Sequence, residues 1–340
     1  MTVVTILIVI GVFCLLILSH EFGHFIAAKA CGVYVEDFSL GMGPKLLQFK
    51  GKETSYTLRL LPIGGWCNMR GEDEDSDDPR AFNKKKVWQR MIIIFAGPLM
   101  NFIIAIIIFV IVFMMIGTAS TANVVGEPIA DSPAAIAGLE AGDIITDING
   151  TPIDEWSDIS TAINAEEPGA TLNITVERDG SEESITLKPY FSEEEQAWKI
   201  GIYPIREHQN IFTAIGMGVT QSIEFAVLLV QSIVQMITGQ IPAEVAGPVG
   251  IVTIIGEATS YGAQNVLILI AYLSINLGII NLFPLPALDG SRLVFLAVEG
   301  IRRKPIDRAK EGMVHFIGLV LLFGLMIVIT YQDIARLITG

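Results

Sequence analysis

Residues 2–28 constrain this chain more than any other feature. The run is almost wholly apolar, yet it carries His20, Glu21 and His24 within five positions near its end. About 20 apolar residues suffice for a helix to cross the hydrocarbon core of a bilayer. Three further runs reach or approach that length: 91–117, 266–282 and 314–331. The segment 211–237 is also apolar but holds Gln221, Glu224, Gln231 and Gln235. That pattern reads as an amphipathic helix lying against the membrane rather than a fifth span. Composition agrees: the chain is 51% hydrophobic and 17% charged, where soluble proteins carry about 25% charged residues.

Charge gives an orientation. Of the 22 Lys and Arg, 11 lie between Lys29 and Arg90 and six between Arg292 and Lys310. Only Arg178, Lys188, Lys199 and Arg206 fall within 118–270, against 21 Asp and Glu. Cytoplasmic loops are the ones enriched in Lys and Arg. Segments 29–90 and 292–310 are therefore expected in the cytoplasm and 118–260 outside it. Four spans then leave both termini outside. The first run lacks the basic residues that open a signal peptide and reads as a retained span. The net charge of −14 argues against nucleic acid as a partner. Cys14, Cys31 and Cys67 suggest no disulfide framework and read as buried or free thiols.

The chemistry concentrates in His20-Glu21-Phe22-Gly23-His24. Histidines four apart on a helix share one face and can grip one Zn²⁺, with Glu21 beside them in reach of a water that the ion polarises. Ionisable groups inside a span cost roughly 2.5–3.5 kcal/mol each on insertion scales and need a compensating cause. A metal is such a cause. A catalytic zinc takes three protein ligands, so one more is required. His208 and His315 read as ordinary polar residues. The better candidate is Asp289, which follows Pro284 and Pro286 at the end of the third span. Two prolines stop a helix there, and broken backbone at membrane depth survives only where protein buries it or it lines a cavity. The plain alternative is a helix end followed by a surface turn.

His20-Glu21-x-Gly23-His24 together with Asn281-x-x-Pro284-x-Pro286-x-Leu288-Asp289-Gly290 closely resembles the site-2 protease family of intramembrane zinc metalloproteases. The branch resembled is the PDZ-containing one of the bacterial regulator of sigma-E protease. The resemblance implies that His20, His24 and Asp289 bind one zinc ion, that Glu21 is the catalytic base and that Asn281 holds the substrate backbone. Pro62-Ile63-Gly64-Gly65-Trp66, Met69-Arg70-Gly71-Glu72, the segment from Phe95 to Phe102 and Gly247-Pro248-Val249-Gly250-Ile251 resemble further family segments, so the likeness covers nearly the whole chain. Trp66 stands where the family usually has tyrosine or phenylalanine.

Between the first two spans, short alternating pieces at 37–40, 45–49 and 55–60 separated by glycines read as β-hairpins. A peptide bond inside a helix is shielded, so a substrate helix must be extended before it is cut. A strand edge leading to Gly64, Gly65 and Trp66 can hold it by strand addition. The run Glu72–Asp78 reads as a solvated acidic turn. Residues 122–206 resemble a PDZ domain through Ser132-Pro133-Ala134-Ala135-Ile136-Ala137-Gly138-Leu139 and Ala141-Gly142-Asp143-Ile144-Ile145. A strand at 172–178, an Asp179-Gly180 turn and a returning strand at 184–187 follow.

The expected architecture is a polytopic α-helical membrane protein of about four transmembrane helices, with a membrane-associated β-hairpin region and one inserted extracytoplasmic PDZ domain. Its divisions are 1–117 (first membrane core), 118–206 (PDZ), 207–260 (extracytoplasmic amphipathic helices) and 261–340 (second membrane core). The resemblance implies a multi-pass protein of the bacterial plasma membrane. Lipid surrounds it, single-span proteins such as anti-sigma factors or remnant signal peptides are its substrates, and peptide termini are candidates for the PDZ domain. The competing readings are a non-catalytic PDZ scaffold and a transporter; the intact ligand set weighs against the first, and the lack of a visible inverted repeat against the second.

Overall fold

The computed structural model describes residues 3–72, 74–193, 196–242 and 245–339. Thr2 and Asp73, named above, lie outside the described residues, as do the side chains of Pro62 and Ile63. The chain forms two compact units, one made of 1–112 with 212–340 and the other of 113–211.

In the first unit, α1 (Val3–Ala30) is an unbroken helix of 28 residues. Gly32, in the left-handed region at φ 68°, ends it, and the Val33 N–H returns to the Ala28 carbonyl at 2.8 Å. Strands β1 (Val35–Lys50) and β2 (Ser55–Met69) follow, then α2 (Val87–Met115). In β1, residues 35–40 pair with 65–69 on one side and 55–58 on the other, while 45–50 pair with 55–59. The two long strands therefore fold into four adjacent segments with 65–69 at an edge. Gly41 and Gly43, at φ 90° and 86°, supply the bend that only glycine takes without strain. Leu46, Leu47, Phe49, Leu60 and Leu61 stand exposed on the folded hairpin, an apolar patch suited to a lipid boundary.

The second unit holds β3 (Thr118–Ala119), β4 (Val125–Pro128), α3 (Pro133–Ala137), β5 (Ile144–Ile148), β6 (Thr151–Pro152), α4 (Trp156–Ala165), β7 (Leu172–Arg178) and β8 (Ser181–Leu187). It closes with β9 (Tyr190–Ser192), β10 (Ala197–Lys199), β11 (Ile202–Pro204) and β12 (Arg206–Glu207). Its main sheet runs β6-β5-β7-β8 over a core that includes Val125, Ile145, Leu172, Ile174 and Val176, all fully buried. Asp179 and Gly180, both at positive φ, make the tight β7–β8 turn. Arg178 donates to both carboxylate oxygens of buried Asp143 at 2.7 Å. Burial alone would push that carboxyl up, but the Arg178 guanidinium and the Glu140 N–H hold it below the usual carboxylate range. A lowered folded pKa stabilises above the unfolded value of about 3.9 and is lost as pH falls through the folded one. Asp143→Asn is thus expected to cost about 2 kcal/mol at pH 7, or roughly 10 °C in the melting of the excised 113–211 unit. The deficit should shrink as pH falls through the lowered folded pKa of Asp143, as circular dichroism melts across pH would read.

The first unit resumes with α5 (Ile211–Ile237), α6 (Pro248–Ser260), α7 (Ala263–Leu282), α8 (Asp289–Arg302) and α9 (Arg308–Thr339). Among the described residues five helices, α1, α2, α5, α7 and α9, are long and apolar enough to cross a membrane, one more than the sequence led us to expect. The extra one is α5, whose 27 residues form a single helix despite its glutamines. The buried residues Ala214, Gly218 and Ser222 make a small-residue stripe, and Gly218 packs on Ile106 and Phe109 of α2. Helix directions follow from contacts. The Ser274 hydroxyl donates to the Asn101 carbonyl at 2.8 Å, Gly278 lies against Pro98 and Phe102 and Tyr272 against Phe109, so α7 runs antiparallel to α2. At the far end of α9, buried Asp333 accepts from the Gly247 and Gly250 N–H groups at 3.3 and 2.8 Å. It thereby caps α6, and its carboxylate leaves no room for a side chain at Gly247.

Candidate metal centre

One turn of α1 separates His20 from His24, and their rings stand at 87° with centroids 4.9 Å apart. The Nε2 atoms are 3.3 Å from each other. His24 Nδ1 lies 2.8 Å from the Ile93 carbonyl on α2, so Nδ1 carries the proton and the Nε2 lone pair faces the centre. Two glycines make this approach possible. Gly23 sits on the Ala96 carbonyl, and a methyl group on Gly97 would fall inside the imidazole of His24.

Asp289 arrives from the other side. Helix α7 stops at Leu282, and Phe283 turns to extended backbone. Ala287 takes a left-handed φ of 76°, a strained conformation for a residue with a side chain. It is held there by its N–H donating to His315 Nδ1 at 3.0 Å, with Pro286 packed on Gly318 of the same helix, α9. Gly290 lets the first turn of α8 press against the carbonyls that end α7. The result puts Asp289 Oδ2 at 3.1 Å from His20 Nε2 and 3.3 Å from His24 Nε2. This buried oxygen makes no hydrogen bond. The ligand atoms of all three residues lie within 4.8 Å of one another. Such a trio fits a metal ion, since each atom is a good donor to a cation and the buried carboxylate oxygen is left without a hydrogen bond.

The trio opens on a cavity of about 260 Å³ that Glu21, Gly65, Trp66 and Asn281 also line. Gly65 passes so close that a β-carbon there would be 2.6 Å from Glu21 Cγ. Gly64 lies just outside the lining, its positive φ seating it on Met42. The structure thus gathers every residue singled out from the sequence around one cavity, Gly64 by adjacency. Cys67 also lines it. Burial, then the carboxylates of Glu21 and Glu72, push that thiol up and keep it protonated and inert.

The acidic run is exposed at Glu74, Asp75 and Asp77, as expected of a solvated turn, and departs from that expectation at Glu72. Glu72 is mostly buried and pairs with Arg292 of α8 at the cavity wall. Asp77 and Asp78 pair with Lys84 and Arg70 at 2.9 and 2.7 Å. The basic residues on either side of the run draw these carboxylates into place. His315, read as an ordinary polar residue, instead fixes the loop that delivers Asp289. Nothing in the sequence ties it to Ala287, 28 residues away.

A model of peptidase family M50 matches residues 8–325. A provisionally named zinc metalloprotease of Clostridium acetobutylicum is 41% identical over 338 residues, covering 98% of each chain. Zinc metalloprotease RasP of Geobacillus kaustophilus is 34% identical over 98% of this chain and 99% of its own. The regulator of sigma-W protease RasP of Bacillus subtilis is 32% identical over 99% of both. Among solved structures, the PDZ domain of an SdrC-like protein from Listeria monocytogenes is 26% identical. It covers 25% of this chain and 90% of its own with a TM-score of 0.22.

Proposed function

The chain belongs to peptidase family M50, the site-2 proteases, as an intramembrane metalloprotease, and we propose that it holds one zinc ion on His20, His24 and Asp289 and cuts single-span substrate helices near their cytoplasmic end. The observation that carries this reading is the spacing of the three donor atoms, 3.1–3.3 Å. Zinc bonds of about 2.0–2.1 Å in tetrahedral arrangement set neighbouring ligand atoms about 3.3 Å apart. A bound zinc ion would supply Lewis acidity toward the scissile carbonyl and the attacking water. Glu21, one residue from His20 and open to the same cavity, takes the proton of that water and returns it to the departing amide nitrogen. Asn281 borders the cavity and orients the substrate backbone. The 65–69 edge, with Gly65 and Trp66 at the cavity and Gly64 shaping its approach, receives the extended substrate by strand addition.

Four spans, α1, α2, α7 and α9, fit this chemistry better than five. Helix α5 starts beside the last turns of α2. Gly247 reaches the far end of α9, and Gly256 approaches Thr5 at the start of α1. Both flanks of α5 therefore adjoin the end of the bundle remote from Asp289. Thr238 and Gln240 still bond back to the last turn of α5. Only residues 241–246 lie between Gln240 and Gly247, at most about 25 Å of chain, too short to recross about 30 Å of hydrocarbon. Helix α5 accordingly lies along the outer membrane surface. The inserted domain is a PDZ domain outside the bacterial plasma membrane that takes peptide termini, both chain ends are outside, and 29–90 and 292–310 are cytoplasmic. The substrates are anti-sigma factors or remnant signal peptides, the first in keeping with the name of the Bacillus subtilis relative.

Reconstituted with a single-span substrate in liposomes, the protein is expected to cut within the cytoplasmic third of the helix, to stop when a chelator strips the metal and to recover on adding zinc. Cleavage that persists after metal removal would refute the metal centre. Absence of cleavage by the zinc-loaded protein on a panel of single-span substrates would favour the PDZ scaffold.

A further inference from the structure

We infer that Asn101 sets the tautomer of His20, so that its Nε2 rather than its Nδ1 is the free lone pair at the metal centre. The inference rests on the metal-centre reading above. Asn101 is fully buried in α2, and a carboxamide at that depth needs its hydrogen bonds met. One end of it lies 3.2 Å from His20 Nδ1 and the other 3.2 Å from Ser19 Oγ. The Ser19 hydroxyl also lies 2.9 Å from the Leu16 carbonyl.

The hydrogens decide which end is which. With the NH₂ toward His20, the Ser19 hydroxyl faces two acceptors, Leu16 O and Asn101 Oδ1, with a single hydrogen. His20 Nδ1 would then be an acceptor, and neutral imidazole would carry its proton on Nε2, pointed at Asp289 and His24. With the carboxamide turned over, every group has one role. The His20 Nδ1–H donates to the Asn101 oxygen, the Asn101 NH₂ donates to Ser19 Oγ, and the Ser19 hydroxyl donates to Leu16 O. The His20 Nε2 lone pair is then free, matching His24, whose Nδ1–H is held by the Ile93 carbonyl. Helix α2 thus supplies an acceptor behind each histidine, a backbone carbonyl for one and the Asn101 side chain for the other. Asn101 is a positioning residue that acts through His20. Its own backbone carbonyl accepts from Ser274 of α7, which fixes the α2 turn that presents it.

The test is the zinc affinity of the full-length detergent-solubilised protein, read by competition with a chromophoric chelator, with the Co²⁺ absorption spectrum as a second signature. Asn101→Leu fills the same space without an acceptor and should weaken zinc by about 10- to 100-fold while the thermal midpoint of the metal-free protein stays near wild type. Asn101→Asp keeps an acceptor for Nδ1–H and should bind zinc within about threefold of wild type, with the wild-type cobalt spectrum. Ser19→Ala keeps Asn101 but removes the hydroxyl that selects its orientation, and should weaken zinc severalfold; it stands as the test if Asn101→Leu does not fold. Wild-type affinity in Asn101→Leu, or in Ser19→Ala, overturns the inference. So does Asn101→Asp binding as weakly as Asn101→Leu, which would make the role one of packing. Wild-type protein that binds no zinc would instead remove the metal centre itself.

Discussion

Glu21→Gln is expected to lower the rate of substrate cleavage by about 10³-fold while leaving zinc content at the wild-type level. Positioned general bases contribute about 10²–10⁴-fold, and glutamine cannot accept the proton. Glu21 is not one of the three atoms that converge on the centre, which are Nε2 of His20 and His24 and Oδ2 of Asp289. The change is nearly isosteric, so the close passage of Gly65 over the Glu21 side chain survives. Single-turnover cleavage in liposomes, with metal content measured on the same sample, reads both numbers. A variant that still cuts at a tenth of the wild-type rate would assign the proton transfer to another group.

The second large effect comes from a residue with no chemistry of its own. Gly97→Ala should weaken zinc binding by at least about 100-fold, beyond the loss of an outer hydrogen-bond partner. In the middle of a helix this substitution normally stabilises by about 1 kcal/mol. Here the added methyl group would overlap the Nε2 and Cε1 of His24. Neither side can yield. Gly97 is buried backbone in α2, and the His24 ring is pinned by the Ile93 carbonyl at 2.8 Å. The imidazole must leave the centre. Far-ultraviolet circular dichroism and zinc titration separate the outcomes: intact helicity with lost zinc is expected, and retained affinity would mean that His24 is not a ligand.

These two cases mark where the sequence is legible. His20, Glu21 and His24 can be read because the 3.6-residue helical period places i and i+4 side by side, and their cost inside an apolar run demands a cause. Asp289 can be read because Pro284 and Pro286 break a helix where lipid forbids loose backbone. Gly97 and His315 cannot. One serves by the space it leaves under an imidazole 73 residues away in the chain, the other by receiving an N–H from Ala287 across a loop. The long apolar helices α1, α2, α7 and α9 follow from composition. Helix α5 divides the two kinds of evidence, since its length permits a span while its glutamines and the positions of its flanks argue for a surface. The hairpin pieces at 37–40, 45–49 and 55–60 announce strands, but not that 35–40 lies between 65–69 and 55–58. That order depends on the bends at Gly41 and Gly43 and on pairings between distant segments, which local alternation does not encode. The cap that Asp333 gives α6 is likewise set by tertiary contact alone.

His20, His24 and Asp289 are proposed to hold one zinc ion together. Metal analysis of the purified full-length protein beside Asp289→Ala tests it most directly. About one zinc per chain is expected in the wild type, as one such trio of ligands provides, and little or none in Asp289→Ala after mild chelation, with helicity unchanged. Zinc retained by Asp289→Ala at the wild-type level would contradict it.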